Sequence, residues 1–110
     1  MAPQALQLLN NKFVVGQSRL FADRVRNEAG KEIRAQVEQA FWLAYSRPPN
    51  PKEVEASLKF LAQEQDYHQR HNEKLRELGI DPAEILPPAT AALVDLCHSL
   101  FNTNEFVYIN

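Results

Sequence analysis

Three side chains that can bind a metal ion recur at helical spacing in the second half of the chain. Glu64, His68 and His71 lie at positions i, i+4 and i+7, so one face of a helix would carry a carboxylate and two imidazoles. A zinc site requires such convergence, together with a fourth ligand or a water molecule. Because His71 follows His68 by three positions, the spacing is not the His-Glu-x-x-His pattern of zinc proteases. The polar surroundings favour a solvated helix face over a metal site.

Cys97 and His98 are a second pair that could carry chemistry. Neighbouring residues of a helix point about 100° apart, so these two side chains would not converge as a nucleophile and its base. A c-type haem attachment requires Cys-x-x-Cys-His, and the chain has one cysteine. Cys97 lies on the apolar face of a predicted helix, which is typical of a buried thiol. The sequence therefore indicates no catalytic residue and no cofactor.

The composition is that of one globular domain. The chain has 110 residues, of which 45% are hydrophobic and 24% are charged, and this suffices for one core but not for two. The net charge is −2 with both signs interspersed, so no basic stripe is available to neutralise phosphates and we expect no nucleic-acid partner. The apolar runs are short, and we therefore expect no membrane span.

Hydrophobic periodicity predicts an all-α fold, a single bundle of about five helices with a long fourth helix and a short extended C-terminal tail. The expected helix starts are near Pro3, Lys12, Glu32, Pro51 and Ala89. The predicted core consists of apolar residues at helical spacing, namely Leu6, Leu9, Phe13, Leu20, Phe21, Val37, Phe41, Leu58, Leu61, Leu93, Leu96, Cys97 and Leu100.

The clearest local signal marks the start of the long fourth helix. Asn50 can accept hydrogen bonds from free backbone donors, Pro51 suits the first helical position, and Glu53 stands where a capping-box acid reaches back. From Pro51 to Leu78 this helix would measure about 40 Å, and its polar middle is expected to be exposed to solvent. The apolar tail from Phe106 is expected to fold back over the helices or to dock on another domain.

Segments from both ends and from the middle of the chain resemble one family. The segments are Pro3–Asn10, Phe13–Val14, Ala44–Glu53 and Asp95–Tyr108. Together they resemble the C-terminal end of the planctomycete-specific domain of unknown function found in large planctomycete cytochrome c-associated proteins. The stretch from about Gln63 to Pro88 does not share this resemblance and looks like a variable insertion.

The resemblance implies a position in a larger protein. Residues 1–110 would be a single helical domain, the C-terminal fragment of a longer multidomain protein that is exported or periplasmic. Such proteins often carry a cytochrome c-like haem domain upstream, but its Cys-x-x-Cys-His motif is missing here, so haem binding is not carried over. The family supplies no catalytic residues. The expected partners are upstream domains of the same polypeptide or another protein.

Three functions remain open from the sequence. The first is a non-catalytic helical module with a structural or interaction role, which the capped helices, the mixed surface charge and the apolar tail favour. The second is a contribution of Glu64, His68, His71 or His98 to a metal- or ligand-binding site that upstream domains complete, since ligand sites often form between domains. The third is a partner-binding bundle that acts on its own through its long polar helix.

Overall fold

Four α-helices account for most of residues 15–102, the part of the chain that this computed structural model describes. They are α1 (Val15–Ala29), α2 (Ile33–Tyr45), α3 (Pro51–Glu77) and α4 (Pro88–Phe101), with a 3-10 helix at Pro82–Glu84. No strand occurs among these residues, so the predicted all-α class is confirmed. The predicted number of about five is slightly too high for this range. The helix expected from Pro3 and the tail expected from Phe106 lie outside the described residues.

The last helix forms the centre of the fold. Seven of the fourteen residues of α4 are buried, which is typical of a helix enclosed by its neighbours. Helices α1 and α3 pack along α4, and α2 packs against α1 and α3. The buried core consists of Ala22, Val25, Val37, Ala40, Phe41, Ala44, Leu61, Ala92, Leu93, Val94, Leu96, Cys97 and Leu100.

Most of the predicted core is confirmed within the described residues. The confirmed buried residues are Val37, Phe41, Leu61, Leu93, Leu96, Cys97 and Leu100, and the half-buried Phe21 and Leu58 pack against them. Leu20 is wrong as a core residue, because 65% of its surface is exposed. The inward face of α1 is set by Ser18, Ala22 and Val25, and at about 100° per residue Leu20 points away from them. Leu6, Leu9 and Phe13 lie outside the described residues.

The turn between α1 and α2 begins at a glycine. Gly30 has a positive φ of 78°, a backbone conformation that glycine adopts without steric cost and that commonly ends helices. The side chain of Glu32 then accepts hydrogen bonds from the backbone N–H groups of Arg34 and Ala35. These contacts satisfy donors that the first turn of α2 leaves free.

The capping box predicted at the start of α3 is confirmed. Asn50 Oδ1 accepts a hydrogen bond from the Glu53 N–H at 2.8 Å, and Glu53 Oε1 accepts one from the Asn50 N–H at 2.9 Å. Both guanidinium nitrogens of Arg47 also donate to the Glu53 carboxylate, at 2.8 and 2.9 Å. These hydrogen bonds from Arg47 hold the pKa of Glu53 below its ordinary value. The loop before α3 is therefore fixed to its first turn.

Most of the polar middle of α3 is exposed to solvent, as predicted, but one side of it is covered. Asp66, Arg70 and Glu73 do face solvent. On the opposite face, however, Asn72 is only 3% exposed, and its Nδ2 donates to the Leu86 carbonyl oxygen at 2.9 Å. Where the apolar stripe of α3 is interrupted, this hydrogen bond connects the helix to the segment that precedes α4.

We expect Asn50→Ala to lower the free energy of unfolding by about 1 kcal/mol, because the N–H of Glu53 loses its acceptor. Thermal and urea unfolding of the purified chain measure this change. Asn50→Asp is the matched control, since its carboxylate keeps an acceptor at the same position and should preserve most of the stability. Equal stability of Asn50→Ala and the parent would contradict a stabilising role for this cap.

Candidate functional site

The interface between α3 and α4 brings together three polar side chains that can bind a metal ion. Glu64 and His68 lie one turn apart on the face of α3 that packs against α4. Asp95 lies in the middle of α4. Contacts pair Asn72 with Leu86 and His68 with Asp95, as expected for antiparallel neighbours. We call Glu64, His68 and Asp95 the carboxylate–histidine cluster.

The three side chains of this cluster are close enough to share one ligand. His68 Nε2 lies 2.6 Å from Asp95 Oδ2, which is a hydrogen-bond distance. One nitrogen or oxygen atom from each of the three residues lies within 4.8 Å of the others. All three residues are half-buried, so their positions are restrained by the interface while solvent still reaches them.

The two carboxyl groups of the cluster repel each other unless a positive charge or a proton intervenes. The hydrogen bond between Glu64 and Asp95 raises the pKa of Glu64 above its ordinary value, and burial and the negative charge of Asp95 act in the same direction. A positive charge on His68 opposes this rise. The cluster can therefore hold an extra proton or a cation, which is the property required of a metal or proton-binding site.

His71, the third residue of the sequence hypothesis, does not join the cluster. Its ring stacks on Tyr67, with centroids 5.5 Å apart and planes 12° from parallel, and it is exposed. Seven residues of α-helix rise about 10.5 Å, so His71 is too far along α3 to share an ion with Glu64. The structure thus brings Glu64 and His68 together and leaves His71 apart.

Asp95 is the residue of the cluster that sequence reasoning missed. It lies on another helix, 27 positions after His68, and no local spacing connects the two. A signal does exist in the sequence, because Asp95 is the one acidic residue of the mostly apolar α4. A carboxylate placed in such a helix needs a hydrogen-bond partner from a neighbouring element.

Cys97 is buried as predicted and does not offer a reactive thiolate. Its exposure is 0%, and burial raises the pKa of the thiol to about 12. The neighbouring His98 is half-buried, and its Nε2 has no hydrogen-bond partner in the described part of the chain. The two side chains do not form a nucleophile–base pair.

A shallow apolar groove runs between the start of α2 and the first half of α3. It consists of two adjoining hollows of about 400 and 430 Å³ that share Arg34 and Leu58. Ile33 is 50% exposed at one edge. The remaining lining residues are Glu32, Pro49, Pro51, Val54, Glu55, Leu61, Ala62 and Gln65. We call this feature the α2–α3 groove.

None of the helices within residues 15–102 is both long and apolar enough to cross a membrane.

Comparison with known families gives a match over residues 1–61 to the family described as "Protein of unknown function (DUF1553)". This match covers more than half of the chain. No curated protein and no solved structure matches the chain.

The raised pKa of Glu64 predicts how stability depends on pH. The folded protein holds the Glu64 proton more tightly than the unfolded chain does. The free energy of unfolding should therefore fall as the pH rises from the ordinary value of 4.5 through the raised pKa. Glu64→Gln should remove this fall in stability with rising pH, because a neutral amide can still donate to Asp95. Thermal unfolding between about pH 4 and pH 8 in EDTA measures the difference between the two proteins.

The result at neutral pH separates this effect from ordinary surface charge. Glu64→Gln should be at least as stable as the parent at pH 7, and its advantage should disappear near pH 4. Glu73→Gln changes an exposed carboxylate on the same helix and should follow the parent at every pH. A Glu64→Gln variant that loses stability on going from acid to neutral pH would contradict the raised pKa.

Burial of Cys97 predicts a slow reaction with thiol reagents. A pKa of about 12 instead of 9.0 leaves about a thousandfold less thiolate at pH 8, and the thiolate is the reacting form. We expect iodoacetamide to label Cys97 rapidly in urea and very slowly in the native protein, as followed by intact mass. Native labelling at the rate of a free cysteine would contradict a closed core at α4.

Proposed function

We propose a non-catalytic role for this chain, which belongs to the DUF1553 family of proteins of unknown function. In this proposal the chain is a helical structural and interaction module. Its polar side chains support such a role, because several of them connect elements of the fold. Arg47 binds Glu53, Tyr45 Oη donates to the Leu100 carbonyl, and Asn72 Nδ2 donates to the Leu86 carbonyl.

The observation that carries the proposal is the α2–α3 groove. Its floor contains the apolar side chains of Val54, Leu58 and Leu61, and Ile33 remains half exposed above them. Binding to such a groove is favourable when apolar side chains of a partner displace water from it. Most of its lining residues fall within the segment that matches the family.

The occupant that we propose is an upstream domain of the same polypeptide. The rim carries both signs of charge, with Glu32 and Glu55 beside Arg34. Such a rim suits a mixed protein surface, whereas a nucleic acid would require a basic face. Docking within one polypeptide also needs little intrinsic affinity, because the linker keeps the partner at a high effective concentration.

The wider setting of this module rests on the resemblance described above. We propose that residues 1–110 form one domain at the C-terminal end of a longer, exported multidomain protein related to the planctomycete cytochrome c-associated proteins. The reading frame of the whole gene tests this directly. A signal peptide and further domains upstream would agree with it, and a frame without them would overturn it.

The docking proposal predicts that a change in the groove weakens binding to the upstream polypeptide. We expect Ile33→Ala to raise the dissociation constant by about tenfold, since truncation of a central apolar contact costs more than 1 kcal/mol. Isothermal titration of the 110-residue chain with the separately expressed upstream segment measures this constant.

Leu78→Ala is the matched control for this experiment. Leu78 is 78% exposed at the end of α3, outside the groove, and its truncation should change the dissociation constant by less than about twofold. Both variants should keep the unfolding temperature of the parent, because both side chains are at least half exposed. Equal weakening by the two variants, or an unchanged dissociation constant for Ile33→Ala, would overturn the groove as the docking surface.

A further inference from the structure

We propose that Glu64, His68 and Asp95 bind one Zn²⁺ ion between α3 and α4. This inference does not depend on the docking role of the groove, because the three ligands belong to the described residues of this chain. It differs from the hypothesis drawn from the sequence in two respects. Asp95 replaces His71 as the third ligand, and no other domain is needed to bring the ligands together.

The donor atoms are close to the arrangement that zinc requires. Zinc binds imidazole nitrogen and carboxylate oxygen at about 2.0 to 2.2 Å, which places the ligand atoms of a tetrahedral site about 3.4 Å apart. The donor atoms of the cluster lie within 4.8 Å of one another, and His68 Nε2 and Asp95 Oδ2 are 2.6 Å apart. Side-chain rotations alone can therefore close the site, with His68 and Asp95 separating slightly to admit the ion.

The charge of the cluster also favours a cation. Glu64 and Asp95 place two carboxyl groups within 4.8 Å of each other and of the His68 ring. A divalent ion bound between them would neutralise both carboxylates at once.

The ligand set favours zinc over the alkaline-earth ions. Imidazole is a good ligand for zinc, whereas magnesium and calcium prefer sites built from oxygen atoms alone. Three protein ligands leave a fourth position of the tetrahedron for water. The half-buried setting of the cluster lets a water molecule reach that position, while the packing of α3 against α4 keeps the ligands near one another.

A neighbouring aromatic ring supports the orientation of the His68 ring. The ring of Tyr67 meets the ring of His68 edge to face, with centroids 5.2 Å apart. Because Nε2 already points at Asp95, zinc can bind through this nitrogen with only a small adjustment of the ring. A ligand that is held in position before binding loses less conformational entropy when the ion binds.

Zinc titration of the full 110-residue chain tests the proposal. The chain is expressed without a histidine tag, stripped of metal with EDTA, exchanged into buffer without chelator and titrated calorimetrically with ZnCl₂. We expect one ion per chain and a rise in the unfolding temperature when zinc is present. Magnesium chloride at the same concentration should give neither signal.

Single substitutions identify the ligands. His68→Ala, Glu64→Gln and Asp95→Asn should each weaken zinc binding by about tenfold or more, as expected when one of three ligands is lost. His71→Ala is the matched control on the same helix, because His71 stacks on Tyr67 outside the cluster. It should leave the zinc affinity within about twofold of the parent.

The unfolding temperature of each variant in EDTA separates loss of a ligand from loss of the fold. Glu64→Gln is the decisive variant if His68→Ala or Asp95→Asn fails to fold, because it is isosteric and keeps a donor toward Asp95. Absence of saturable 1:1 binding by the parent would overturn the proposal. Parent-like affinity of Glu64→Gln, or equal weakening by His71→Ala, would also overturn it, since zinc would then bind elsewhere on the surface.

Discussion

The burial of α4 is the constraint on which the other helices depend. A helix that is enclosed on most sides brings its own polar groups into the interior, and each of them needs a partner. The neighbouring helices supply partners for two of these groups. Tyr45 of α2 donates to the Leu100 carbonyl at 2.9 Å, and His68 of α3 binds Asp95 at 2.6 Å. The polar residues of the outer helices are therefore part of the packing of the central one.

Local signals in the sequence predicted the starts of α2, α3 and α4 to within one residue. The cap at Asn50 depends on hydrogen bonds within a few residues, so it can be recognised without tertiary structure. The face of α1 was harder to predict. Large apolar residues suggested Leu20, whereas the structure buries Ser18 and Ala22, because small side chains allow the helices to approach closely.

The sequence could predict only those residues of the candidate site that lie on the same helix. Glu64 and His68 are recognisable because residues four apart share a helix face. The same reasoning included His71, because it considers the angle of each residue around the helix axis and not its distance along that axis. Asp95 could not be found in this way, because its proximity to His68 depends on how α3 and α4 pack. The burial of Asn72 in the largely exposed middle of α3 could not be predicted for the same reason, since it depends on the segment at Leu86.

The length of α3 separates the two surfaces that this chain offers. Helix α2 has 13 residues and α3 has 27, so α2 can accompany only part of α3. The α2–α3 groove lies along the first half of α3, and the carboxylate–histidine cluster lies farther along it, on the face toward α4. The family match ends at residue 61, before Glu64 and His68. A protein that matches the family over this segment can therefore share most of the groove without sharing the proposed zinc ligands, so the two proposed roles can vary independently.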